Sequence, residues 1–322
     1  MASNSNRSEV AVEVFPYLQL YKDGTVHRVI GTEVAHAGLD LETGVLSQDI
    51  VINPDTGVSA RFYRPNQLTK YDEKLPLVLY FHGGAFMISS TADPKYHISL
   101  NKLVAEANIV LVSVNYRLAP ENPLPTSYED SWAALNWVAA HAKGDGGHEP
   151  WLKDYVDFEQ VFLAGDSAGA NIAHNLALRV TDLKIVGIAM MFPYFWGKDP
   201  IGVEVTDHFR RELVDKWWMF VCPSDKGNDD PLINPFVDGA PSLKGLACDR
   251  VLVTVAEKDI LRGRGRLYYD KLVKSGWQGK AEIVEIEDED HVFHIMDPDS
   301  EKVKGLIKRW ASFINQGRGP ES

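Results

Sequence analysis

A doubly wound α/β fold, with a mostly parallel sheet and helices on both faces, is what this sequence predicts, and three observations carry it. Short, nearly continuous apolar runs recur along most of the chain, as strands buried on both faces require. Helical periodicities lie between them, which gives the alternation of right-handed βαβ crossovers. At one strand-to-helix junction, "LAGDSAGAN" (163–171), a serine stands between two glycines.

The first forty or so residues are mixed and irregular. "QDIVI" and "SARFYRP" then predict two short strands joined by the turn-forming "NPDTG". As an antiparallel pair, they would sit on the sheet edge. The runs "LVLYF" (77–81), "IVLVSV" (109–114), "VFLAG" (161–165), "KIVGIAMMF" (184–192), "RVLVTVA" (250–256) and "AEIVEIE" (281–287) predict the buried strands. Between them, Leu100, Leu103, Val104 and Ala107 recur at helical spacing. "SYEDSWAALNWVAAHA" opens with Ser127 three residues before Asp130, which predicts a capping box. Ile172, Leu176 and Val180 mark a helix after Ser167. From Phe192 to Arg250 no clean strand is visible. A connection that long in a compact domain is usually a lid or a binding loop. Its aromatic residues, Trp217 and Trp218 among them, either line an apolar pocket or pack the insertion onto the body.

The chain has 322 residues, within reach of a single α/β domain, and its 45% apolar and 24% charged composition is that of a soluble globular protein. A formal net charge of −12 argues against nucleic acid or an anionic membrane as partner, since both need a basic face. Cys222 and Cys248 are too few for a disulfide framework and are expected as free buried thiols. The N-terminal "MASNSNRSEV" lacks the apolar core of a signal peptide, no run approaches the roughly 20 residues of a membrane span, and "RGPES" matches no retention or peroxisomal signal. A cytoplasmic protein, monomeric or homodimeric, is expected.

A serine hydroxyl is a weak nucleophile until it stands clear of the sheet beside a base. A tight strand-to-helix turn achieves this and crowds its flanks, so Gly165, Ala168, Gly169 and Ala170 must be small. This G-x-S-x-G elbow, in its strand–turn–helix context, is the signature of the α/β-hydrolase fold. A second motif, "YFHGGAF" (80–86), follows a strand and supplies glycines whose N–H groups can approach an oxyanion. Gly83, Gly84 and the N–H of Ala168 are the candidate donors. In this fold an acid and then a histidine follow the serine. Asp259 competes with Glu257 after one strand; His291 competes with His294 after the next. All four lie just past the carboxyl ends of strands. The "HVFH" spacing alone is thin evidence for a metal.

These residues resemble the plant carboxylesterases of the hormone-sensitive-lipase-like group of α/β hydrolases. The resemblance rests on "YFHGGAF", "VNYRLAPENPLPTSYEDSWAALNWV", "GDSAGANIAHNLALR", "KDILR" and "EDEDHVF", and covers nearly the whole chain. It implies Ser167 as nucleophile, His291 as base, Asp259 rather than Glu257 as acid, and Asp166 as a structural partner of the nucleophile. It implies a single domain, 1–322, with a cap from 1–45 and 193–249. The 2-hydroxyisoflavanone dehydratases of the group are similar over the whole length, and the gibberellin receptors keep the fold but lose the histidine.

The expected activity is hydrolysis of small lipophilic or aromatic carboxylic esters through an acyl-enzyme, without metal or organic cofactor. Phe86, Phe195, Trp196, Trp217 and Trp218 are the expected pocket walls. The alternatives are dehydratase-type elimination, which needs a base and an oxyanion site but no nucleophile, and non-catalytic binding of a small ligand.

Overall fold

The computed structural model describes residues 9–67, 74–145 and 149–317. "RGPES" and most of "MASNSNRSEV" lie outside the described residues. Strands β1 (Val10–Val14), β2 (Leu18–Tyr21) and β3 (Val26–Arg28) form a small antiparallel sheet of their own. The large sheet is built from β4 (Leu39–Asp40), β5 (Val45–Asn53), β6 (Val58–Pro65), β7 (Leu75–Phe81), β8 (Val110–Asn115), β9 (Val156–Asp166), β10 (Ile185–Met191), β11 (Cys248–Ala256) and β12 (Lys280–Ile286). Its spatial order is β12-β11-β10-β9-β7-β8-β6-β5-β4. Pairing is parallel from β12 to β8, and antiparallel from β8 through β6, β5 and β4. The expected antiparallel pair, β5 and β6, therefore lies at one edge, bordered only by the two-residue β4.

The helices are α1 (Pro94–Ala107), α2 (Thr126–Lys143), α3 (Pro150–Tyr155), α4 (Ala168–Ala177), α5 (His208–Val221), α6 (Arg262–Lys274), α7 (Phe293–Met296) and α8 (Glu301–Asn315). The continuous apolar runs have a direct cause. In β7, Leu77, Leu79 and Phe81 join one core with α2, α4 and α6, while Val78 and Tyr80 join a second core with α1 and α8. A strand covered on both faces leaves no position for a polar residue. Among the described residues no helix is long and apolar enough to cross a membrane. Both cysteines are free and buried.

The capping box at Ser127 does not form. Helix α2 begins at Thr126, so Ser127 lies inside its first turn and donates to Arg117 O at 2.8 Å. Asp130 is buried and takes a bidentate contact from the Arg117 guanidinium instead. Its Oδ2 also accepts the Arg117 backbone N–H at 2.9 Å, so charge-assisted bonds to one residue occupy both carboxylate oxygens. The N-terminal sheet escaped the reading because most of β1 is exposed, so no alternation marks it. Helix α5 left a trace: its buried Val214, Trp218 and Val221 fall at i, i+4, i+7.

Candidate active site

Ser167 sits between β9 and α4 with φ 51° and ψ −115°, a strained conformation for a residue with a side chain. Its N–H donates to Met191 O at 2.9 Å, and its carbonyl accepts from Tyr194 N at 3.0 Å. The flanking glycines are required by approach distance. A Cβ on Gly169 would lie 1.8 Å from Phe81 O, and one on Gly165 would lie 2.4 Å from Gly169 C.

The sharp turn lifts Ser167 Oγ to 2.9 Å from His291 Nε2, and His291 Nδ1 lies 2.7 Å from Asp259 Oδ2. Asp259 is buried, and its other oxygen accepts from Leu261 N at 2.8 Å. With Nδ1–H directed to the carboxylate, Nε2 is the nitrogen left to accept the serine proton. Burial would lower the His291 pKa, but Asp259, Asp166 and Asp290 around the ring outweigh it and raise the value above 6.5. The competing residues do other work. Glu257 accepts from Asp288 N in an exposed loop. His294 is buried against Phe192, with both ring nitrogens unpartnered, and burial pushes its pKa down to about 3.

Gly83 departs from the expectation made for it. Its N–H already donates to Tyr96 OH at 2.8 Å and to Asp166 Oδ1 at 3.2 Å, so it is not free for an oxyanion. Its lack of a side chain serves packing, because a Cβ would lie 2.4 Å from Asp166 Oδ2. The free N–H groups nearby belong to Gly84 and Ala85 instead. Both are left-handed, with φ 101° and 51°, both border a cavity at Ser167, and their N–H groups meet no acceptor among the described residues. Ala168 opens α4, where the N–H has no preceding turn to bond and the helix dipole favours an anion. Asp166 ties the two donor loops together. It is fully buried, accepts from Tyr80 OH and Tyr96 OH at 2.7 Å each, and is raised to about 6 because burial outweighs those bonds.

Two cavities meet at Ser167, His291, Tyr17 and Ala85. One, about 350 Å³, runs under α5 along Arg210, Leu213, Val214 and Trp217. The other, about 420 Å³, runs between the start of α1 and the segment from Val29 to Glu33. Of the expected walls only Trp217 borders either. Phe86, Phe195, Trp196 and Trp218 are fully buried and line neither cavity. Phe86 packs edge-on against Trp218, and Phe195 stacks on Tyr268 at 4.8 Å. The Trp196 indole donates to Asp215 at 2.6 Å, and that of Trp218 to Gly227 O at 2.9 Å. These large rings hold the insertion on the body, where buried area rather than a ligand stabilises them. Sequence reasoning missed Tyr17 and, apart from Trp217, the α5 face. The spacing of Arg210, Leu213, Val214 and Trp217 at i, i+3, i+4, i+7 could have revealed the latter.

The comparisons with known proteins agree with this fold. The family described as alpha/beta hydrolase fold matches residues 78–295. The Arabidopsis thaliana protein "Probable carboxylesterase 2" is 57% identical over 97% of this chain and 98% of its own. The 2-hydroxyisoflavanone dehydratase of Glycine max is 44% identical over 95% of this chain and 99% of its own. Among solved structures, the thermophilic carboxylesterase EstE1 from a metagenomic library matches with a TM-score of 0.71 at 28% identity, covering 89% of this chain and 92% of that one.

Proposed function

The chain belongs to the α/β-hydrolase fold family and is a carboxylic ester hydrolase, and from that premise we propose a serine acyl-transfer mechanism run by Ser167, His291 and Asp259. Ser167 Oγ attacks the ester carbonyl while His291 Nε2 takes its proton. Asp259 holds the imidazole in the required tautomer and stabilises the imidazolium that forms. The oxyanion is held by the N–H groups of Gly84, Ala85 and Ala168. His291 then protonates the departing alkoxide, and water, deprotonated by the same ring, releases the acid. The observation that carries this reading is the unbroken series Asp259–His291–Ser167 at 2.7 and 2.9 Å, ending on a serine in a strained elbow.

The described part of 1–45 and the segment 193–249 act as a cap in this reading. Trp217 joins them, donating to Phe15 O at 2.9 Å and packing on Tyr17 at 4.9 Å. Apolar walls from Ile88, Leu213, Val214 and Trp217 suit small lipophilic or aromatic esters. A second reading is dehydratase-type elimination. The soybean relative favours it, and the same base and N–H donors would serve it. The complete Ser167–His291–Asp259 series speaks against a receptor that only binds.

The test is treatment with an organophosphate followed by mass spectrometry. One adduct per chain on the peptide carrying Ser167, with parallel loss of aryl-ester hydrolysis, is expected. An unlabelled Ser167 peptide rejects the mechanism.

A further inference from the structure

Helix α5 begins with a cation where its dipole disfavours one: Arg210 stands in the first turn. The helix cap Asp207 accepts both the Arg210 backbone N–H at 3.0 Å and Nε at 2.5 Å. The guanidinium then leaves the insertion altogether. Its Nη1 donates to Lys258 O at 2.9 Å, one residue before Asp259. The same nitrogen reaches both carboxylate oxygens of Asp290 at 3.3 and 3.2 Å, one residue before His291. Asp290 Oδ1 in turn accepts the His291 N–H at 2.7 Å. One side chain therefore joins the insertion to the two loops that bear the acid and the base.

We propose that Arg210 is a positioning residue for ester hydrolysis, which sets the spacing of the Asp259 and His291 loops and couples it to the seating of α5 over the site. The proposal rests on His291 being the base. The Arg210–Asp290 pair is 36% and 58% exposed, so it contributes little to stability. Its leverage is geometric, because a misplacement of about 1 Å in a catalytic group can cost roughly 10²-fold in rate. It also acts through charge. The imidazole of His291 faces Asp259 from the loop after β11, Asp166 from the end of β9, Asp290 from its own loop and His294 from α7. Arg210 is the cation bonded to Asp290 in this group. Its removal leaves Asp290 uncompensated and favours the imidazolium.

The test compares kcat, KM and pH–rate profiles on 4-nitrophenyl acetate for wild type, Arg210→Ala, Arg210→Lys and Arg210→Ala/Asp290→Asn. Arg210→Ala should lose about 10- to 10²-fold in kcat with a much smaller change in KM, and its acid limb should move to higher pH. Arg210→Lys keeps the charge but not the three-way geometry, so the limb should stay while kcat falls. The double variant should return the limb to or below its wild-type position while kcat stays low. An unmoved limb with wild-type kcat in Arg210→Ala overturns the proposal. Should that variant fail to fold, wild-type kcat in Arg210→Lys overturns it equally. Organophosphate labelling of Ser167 in the wild type keeps these failures distinct from failure of the hydrolase reading.

Discussion

The crest of the sheet and the insertion above it place neighbouring residues by opposite rules. At the crest, His291 and His294 are three residues apart and diverge completely: one is bonded to Ser167 and Asp259, the other is buried without a polar partner. In the insertion, Trp217 and Trp218 are adjacent and diverge as far, one facing the cavity and one sealed in the core. The crest residues share a position past a strand end, and the family motif around them tells them apart. The tryptophans are told apart by helix phase alone, since adjacent residues on a helix point about 100° apart.

The largest expected effects test the crest. His291→Ala should lower kcat by roughly 10⁴- to 10⁶-fold, while His294→Ala keeps most of the activity. Asp259→Asn should cost about 10⁴-fold through the wrong tautomer, and Glu257→Gln very little. Turnover numbers for the four purified variants decide this, and equal losses at both members of either pair would collapse the distinction.

The tryptophan pair should show a smaller contrast of another kind. Trp218→Ala empties a fully buried site and should cost about 3–5 kcal/mol of stability, read from urea denaturation. Trp217→Ala removes the ring between Tyr17 and the cavity. It should leave stability nearly intact and raise KM for an aryl ester by roughly tenfold, the worth of about 1.4 kcal/mol of contact. A KM effect confined to Trp218→Ala would reverse the assignment of faces.

The smallest effect sharpens the electrostatics. The raised His291 pKa places the acid limb of kcat/KM above pH 6.5, because only neutral imidazole accepts the serine proton. The stability linked to this group runs the other way. It is fully present below the unfolded pKa and is lost as pH rises through the folded one. Activity gained across this window is therefore accompanied by a small loss of stability. Asp259→Asn should move the limb down in whatever activity remains, and a limb that moves up instead contradicts the cause assigned to the shift.

Much of this protein was legible before its structure. The six apolar runs became strands, and in the five interior ones burial on both faces permits only one kind of residue, so composition and position coincide. The elbow was legible because Gly165 and Gly169 have no alternative at 2.4 and 1.8 Å from neighbouring backbone. Chain order narrowed the acid to Asp259 or Glu257 and the base to His291 or His294, and the family resemblance pointed to Asp259 and His291. Tertiary structure alone decided the rest. Gly83 reads as an oxyanion donor until Tyr96 and Asp166, 13 and 83 residues away, take its N–H. Arg210 belongs to no motif, and only the folding of α5 over the two loops gives it its partners. Four aromatic residues of five went to the core because a large ring is stabilised as well by packing as by a ligand, and its identity does not say which. Short-range sterics and strand periodicity are written in local sequence. Hydrogen-bond partners and pocket walls depend on segments far apart in the chain, and only their approach in space selects them.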